Sequence, residues 1–207
     1  MNTAHFETMS IIWDENPNRM KMADNHVAAL RSKLKLEKSM HLLDYGCGTG
    51  LVSLRLLPFV GSVIGLDTSK GMAEQFQKKI EVNSIPNCKV EVFNPATDLL
   101  PVDENSVDVI VSTMAFHHIP DIAMVLNSFF KALKLGGQIG IIDLETEDGS
   151  FHDSPDAGEI HHGFAKDTLL TAAKQAGFKR VSVDTAYIHK KEATGKEYPM
   201  LLLYGQK

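Results

Sequence analysis

Residues 42–50 read Leu-Leu-Asp-Tyr-Gly-Cys-Gly-Thr-Gly: an apolar run that ends in Asp44, then glycines at positions 46, 48 and 50. An apolar run closed by glycine and followed by a helical stretch is the pattern of a buried strand turning tightly into a helix. Glycine permits that turn and lets a ligand come close to the backbone, and the helix behind it offers unpaired amides. The loop therefore predicts a cradle for a nucleotide-like ligand, with a merely structural strand-to-helix turn as the alternative. Asp44 narrows the choice. A dinucleotide would lay its pyrophosphate beside this carboxylate and be repelled by it, so a cationic ligand without phosphate suits the site better. No Gly-Lys-Ser/Thr follows, which excludes a P-loop.

One strand further on, residues 63–67 read VIGLD, and Asp67 lies 67 − 46 = 21 residues past the first glycine. That spacing is close to the ~20 residues expected for an acid that grips a ribose diol. Preceding Thr68 and Ser69, Asp67 could also serve only as a helix N-cap.

The same alternation of apolar runs and helical periods continues along the chain and predicts an α/β fold with a sheet covered on both faces. Strands are expected at Met40–Asp44, Ser62–Asp67, Lys89–Phe93, Val107–Thr113, Gln138–Leu144, Arg180–Tyr187 and Met200–Tyr204. Helices are expected at Gly50–Pro58, Lys70–Ser84, Ile122–Leu135 and Lys166–Ala176, several followed by glycine. No helix separates the last two strands, so they should pair as an antiparallel hairpin, unlike the parallel order of the dinucleotide fold. Residues Asn18–Lys35 form an amphipathic pattern with Met22, His26, Ala29 and Leu30 on one stripe, expected to cap one sheet edge. No linker or repeat interrupts the pattern, so residues 1–207 are expected to make one domain, with 1–39 as a cap region. Residues 145–163 lack any period and are expected to form a lid or substrate segment.

Composition excludes several classes of function. A formal charge of −5 with no Lys/Arg-rich run leaves no footprint for a phosphate backbone, so nucleic acid is not an expected partner. No apolar run approaches the ~20 residues that span a bilayer. The first ten residues lack a basic start and an apolar stretch, and the expected compartment is the cytoplasm. Two cysteines, Cys47 and Cys88, are too few for a disulfide framework.

Four segments, LLDYGCGTG (42–50), VIGLDTSKGM (63–72), VDVIVSTMAFHHIPD (107–121) and KALKLGGQIGIID (131–143), resemble in order and spacing the class I S-adenosylmethionine-dependent methyltransferases. The resemblance implies a Rossmann-like seven-stranded sheet of order 3-2-1-4-5-7-6 with the last strand antiparallel. It also names a cofactor that fits Asp44, since S-adenosylmethionine carries an ammonium and a sulfonium and no phosphate. Carried over by position, Asp44, Gly46 and Gly48 would surround the methionine end, Asp67 the ribose, and Thr68 with Met72 the adenine side; Tyr45 and Met114 are expected among the cofactor-binding residues. Where such enzymes often place an acid that accepts from the adenine amino group, this chain has Asn94, whose side-chain oxygen can also accept; Asp98 could substitute. The Asn/Asp-Pro-Pro-aromatic segment of enzymes that methylate nucleic-acid amino groups is replaced by Ser112, Thr113, Met114 and Ala115. Together with the charge balance this argues for a small-molecule or protein acceptor; a small molecule is the expected one, with no obligatory protein partner evident.

Methyl transfer demands mainly alignment, and a hydroxyl acceptor would also need a base. His118 and His162 are the expected catalytic residues, with Trp13, His117 and His161 lining the substrate or lid region. A metal site from His117, His118, His152, His161 and His162, with Asp143 or Glu145, is the alternative; adjacent histidines in extended chain point to opposite sides and no His-x3-His lies on a helix, so no metal is expected. The rival readings are a nicotinamide-dependent oxidoreductase and a non-catalytic cofactor-binding module.

Overall fold

The structure, a computed structural model, describes residues 4–95, 100–152 and 160–207. Seven strands form one sheet of order β3-β2-β1-β4-β5-β7-β6, namely β1 (His41–Tyr45), β2 (Ser62–Asp67), β3 (Cys88–Val92), β4 (Val107–Thr113), β5 (Leu133–Leu144), β6 (Lys179–Lys190) and β7 (Glu197–Gln206). The first five are parallel, and β7 inserts antiparallel between β5 and β6. The carboxyl ends of the parallel strands thus share one edge, where open α/β sheets bind ligands.

Among the described residues there are six α-helices, α1 (Ala4–Met9), which packs on α4, and α2 (Pro17–Lys33), α3 (Leu51–Leu56), α4 (Lys70–Val82), α5 (Ile122–Ala132) and α6 (Lys166–Gln175), which flank the sheet. Strand side chains alternate between two cores. Leu42, Val109, Val111, Ile142 and Leu202 pack with α2, α3 and α4, whereas Leu43, Ile110, Ile141 and Leu203 pack with α5 and α6. Both parities of β1 and β4 are therefore apolar, which is why these strands read as continuous apolar runs. Among the described residues no helix is long and apolar enough to cross a membrane.

Three boundaries differ from the sequence pattern. Helix α5 stops at Ala132, because Leu133 is already extended and pairs with Val107 ahead of a bulge in β5. Strands β6 and β7 run further than expected, since His189 pairs with Tyr198 and Lys190 with Glu197 even though these residues are largely polar. Helix α2 lies on the sheet face rather than capping an edge: a Cβ on Gly140 would meet Leu30 at 2.7 Å and Leu34 at 2.9 Å. Ahead of α2, the unexpected α1 and a 3-10 turn (Ser10–Glu15) are too short to show a period.

Candidate cofactor cleft and histidine cluster

The carboxyl edge of β1, β2 and β4 opens into a cleft of about 970 Å³, counting its mouth. After β1 the chain turns through Gly46, Gly48 and Gly50, at φ +73°, +54° and +81°. A Cβ on Gly46 would sit 2.5 Å from that of Ala115, and one on Gly50 2.3 Å from the Phe76 ring. Gly48 has no such neighbour within 4 Å and faces open space. Across the cleft Met114 also holds a left-handed backbone, at φ +54°, strain of the kind that collects at functional sites.

Asp67 ties two loops together: one carboxylate oxygen accepts from the Gly48 amide (2.7 Å), the other from the Ser69 amide (2.8 Å). Helix α4 is capped by Ser69, whose hydroxyl accepts from the Met72 amide (3.2 Å), so Asp67 is not needed as its N-cap. Burial raises the pKa of Asp67 against the pull of these amides. Asp44 lies deeper. One of its oxygens accepts from the Ser53 hydroxyl (2.5 Å), and the other, Oδ1, is buried without a hydrogen-bond partner. Burial pushes its pKa up to about 7, with Ser53 opposing and the Asp67 charge adding to the rise.

The N-terminal segment lies over this end of the cleft. Phe6 and Trp13 line it, and two acids fasten the segment to the loops below. Glu7 accepts from the Ser69 hydroxyl (3.0 Å) and the Gly71 amide (2.7 Å). Asp14 accepts from the Thr49 hydroxyl (2.5 Å) and pairs with Lys79. The Arg19 guanidinium stacks on Trp13, 3.7 Å from the ring centroid.

A different chemistry occupies the ground beyond β4 and β5. Residues Phe116–His118 form a 3-10 turn, so the rings of His117 and His118 are not opposed but lie 4.0 Å apart, centroid to centroid. His117 Nδ1 is 2.7 Å from Asp143, and its Nε2 is 3.1 Å from His152 Nε2. Asp143 also accepts from the amides of Phe116 (2.9 Å), His117 (3.3 Å) and Leu144 (2.8 Å). Burial would raise the pKa of this carboxyl, but His117 and the amides outweigh it and hold it below the usual range. Burial and the neighbouring His117 lower His152 to about 4, and burial lowers His26 to about 3.

Of the residues expected from sequence, Trp13, Tyr45, Gly46, Gly48, Asp67, Thr68, Met72, Met114 and His118 line the cleft together. Asp44 sits beneath the loop, and His117 is buried behind His118. Asn94 is exposed just past Phe93, which does line the cleft, and Asp98 falls outside the described residues. His161 does not line the cleft: its ring is 3.0 Å from the Ile119 carbonyl. His162, exposed on its side chain, lies 3.8 Å from Glu147. Of the 145–163 segment, residues 153–159 are outside the description; around them, the amides of Ile160 and His161 both donate to the His117 carbonyl. Phe116 and Phe164 are core, while Phe151 is partly buried against the core and the ring of His152. Sequence reading missed Phe6, Arg19 and His26 as parts of the cleft, and weighed His152 only as a metal ligand. Only His26 carried a signal, a polar residue on the apolar stripe of α2.

The family model described as a methyltransferase domain matches residues 43–141. An uncharacterized methyltransferase of Schizosaccharomyces pombe is 31% identical over 159 residues, 71% of this chain and 56% of that protein. A demethylmenaquinone methyltransferase of Listeria welshimeri is 30% identical over 113 residues, 53% of this chain and 47% of its own length. The chain thus spans about half the length of the curated relatives it matches. A SAM-dependent methyltransferase from Aquifex aeolicus shares the fold, with a TM-score of 0.71 at 20% identity over 100% of this chain and 98% of that one. The chain belongs to the class I S-adenosylmethionine-dependent methyltransferases, whose cofactor is S-adenosylmethionine. The residues present fit that cofactor: an open cradle at Gly48, a second glycine packed where no Cβ fits, and a buried carboxylate oxygen on Asp44 without a partner.

Proposed function

We propose that the chain transfers the methyl group of S-adenosylmethionine to a small-molecule acceptor held in the same cleft. The observation that carries the reading is the joint presence of Asp67, the open glycine turn and His118 on one largely apolar cavity at the carboxyl edge of the sheet. When bound, the cofactor supplies an electrophilic methyl group on sulfur.

The chain's own residues do the holding. Asp67 keeps spare lone pairs beyond its two amide bonds and is placed to accept from ribose hydroxyls. The Gly46–Gly48 backbone would meet the methionine end, with Asp44 supplying negative charge from beneath the loop. Thr68 and Met72 would flank the adenine, and Asn94 would accept from its amino group. Phe6, Trp13 and Phe93 exclude water from the reacting end. Arg19, the only Lys or Arg among the described lining residues, would hold a carboxylate.

On the acceptor side, His118 lines the cleft wall, as His26 also does, and is placed to withdraw the proton of a hydroxyl or amine acceptor. His162 is the second histidine proposed for this task, although it is not among the described residues that line the cleft. The test is turnover with S-adenosylmethionine across a panel of small hydroxyl, amine and quinol acceptors. His118→Ala is expected to lower turnover roughly 100-fold while S-adenosylhomocysteine affinity stays similar. Full activity in that variant would return His118 to a structural role, and a thermal shift with NAD but none with S-adenosylhomocysteine would overturn the reading.

A further inference from the structure

We propose that His117, His118 and His152 form a binding site for a divalent transition-metal ion of the zinc type, set into the wall of the cleft. The candidate coordinating nitrogens of the three imidazoles all lie within 4.8 Å of one another. The tightest contact has the length a shared ion would give. His117 Nε2 and His152 Nε2 face each other at 3.1 Å, and two ligands on a tetrahedral ion with bonds of ~2.0 Å stand about 3.3 Å apart.

The surroundings supply what such a site needs. Asp143 engages His117 Nδ1 at 2.7 Å, which places the proton on that nitrogen and turns the Nε2 lone pair toward His152. The carboxylate–histidine pair is fully buried and brings the negative charge that offsets a dication in a poorly solvated place. The three ligands come from two different segments, the 3-10 turn after β4 and the loop after β5. Imidazoles without thiolates or additional carboxylates as ligands favour zinc, copper, nickel or ferrous iron over magnesium or calcium. Three protein ligands leave a fourth position, and His118 is the ligand that faces the cleft. An acceptor oxygen or nitrogen coordinated there would be positioned, and its acidity raised, by the metal, which would take over from His118 the task of easing proton loss because that imidazole's lone pair would then be committed to the ion. This last role rests on the proposed methyl transfer; the site itself does not.

The competing arrangement is a plain hydrogen bond, with His152 Nε2–H donating to His117 Nε2 and no metal involved. Calorimetric titration of Zn²⁺ into chelator-stripped protein separates the two, alongside visible spectra after loading with Co²⁺. The expected result is one saturable equivalent and a tetrahedral cobalt spectrum, both weakened at least 10-fold in His152→Gln and in Asp143→Asn. S-adenosylhomocysteine affinity should be retained in His152→Gln, which shows that the variant is folded. Absence of saturable Zn²⁺ binding in the wild-type protein overturns the proposal, as does equal binding in wild type and His152→Gln. Zn²⁺ binding without any S-adenosylhomocysteine binding would instead sustain the metal site and remove the methyl-transfer reading.

Discussion

Two buried carboxylates at the same edge of the sheet are held in opposite ways. Asp143, at the end of β5, accepts from three backbone amides and from His117, and it stays ionised although its side chain is fully buried. Asp44, one strand beyond its neighbour β4, has a single hydroxyl partner, an orphan oxygen and a pKa pushed up to about 7. The first is a finished network, and its removal is a matter of folding. The second is unfinished, because buried polar atoms are normally paired; in the function proposed above, the cofactor completes it.

The largest effect should come from breaking the finished network. Asp143→Ala leaves three amides and His117 without their acceptor and is expected to cost about 3 to 5 kcal/mol in urea denaturation. Asp67→Ala should act mainly on binding. Charge-assisted bonds to ribose hydroxyls are worth about 1.5 to 3 kcal/mol each, so S-adenosylhomocysteine affinity should fall ~10-fold or more by calorimetry. Unchanged affinity would remove Asp67 from the ribose.

Asp44 should set stability against function. Its folded pKa, about 7, lies above the ordinary unfolded value of about 3.9. The unfolded chain therefore releases this proton first as pH rises, and the folded state loses stability between roughly pH 4 and 7, on the order of 4 kcal/mol. Asp44→Asn should abolish that slope and stabilise the cofactor-free protein at pH 8 relative to wild type, while weakening cofactor binding. Equal pH profiles for wild type and variant in thermal denaturation would show that Asp44 is not the group responsible. The smallest effect belongs to the N-terminal segment. Glu7→Gln weakens contacts to Ser69 and Gly71 at the start of α4 and should cost about 0.5 to 1 kcal/mol by denaturation.

The unequal legibility of these regions has a physical cause. The glycine turn and Asp67 were readable because each rests on local spacing, a strand, a turn and an acid at the end of the next strand, whereas the sheet order came from the resemblance of four segments taken together. The direction in which Asp44 points was not, since a buried side chain beneath a loop leaves no periodic trace. The histidine cluster was read wrongly at the level of local geometry. Extended chain would separate His117 from His118, but a 3-10 turn brings their rings together, and His152 joins them from 34 residues away in sequence through the loop after β5. The end of α5 failed for a related reason. The helical period continues through KALKL, yet the pairing of Leu133 with Val107 takes the chain into the sheet.

The unfinished-carboxylate account is tested most directly by titrating S-adenosylhomocysteine into the wild-type protein at pH 6 and at pH 8. The ligand's ammonium favours ionised Asp44, so binding is expected at both and tighter at pH 8. Absence of binding, or an affinity that weakens as the pH rises, would contradict it.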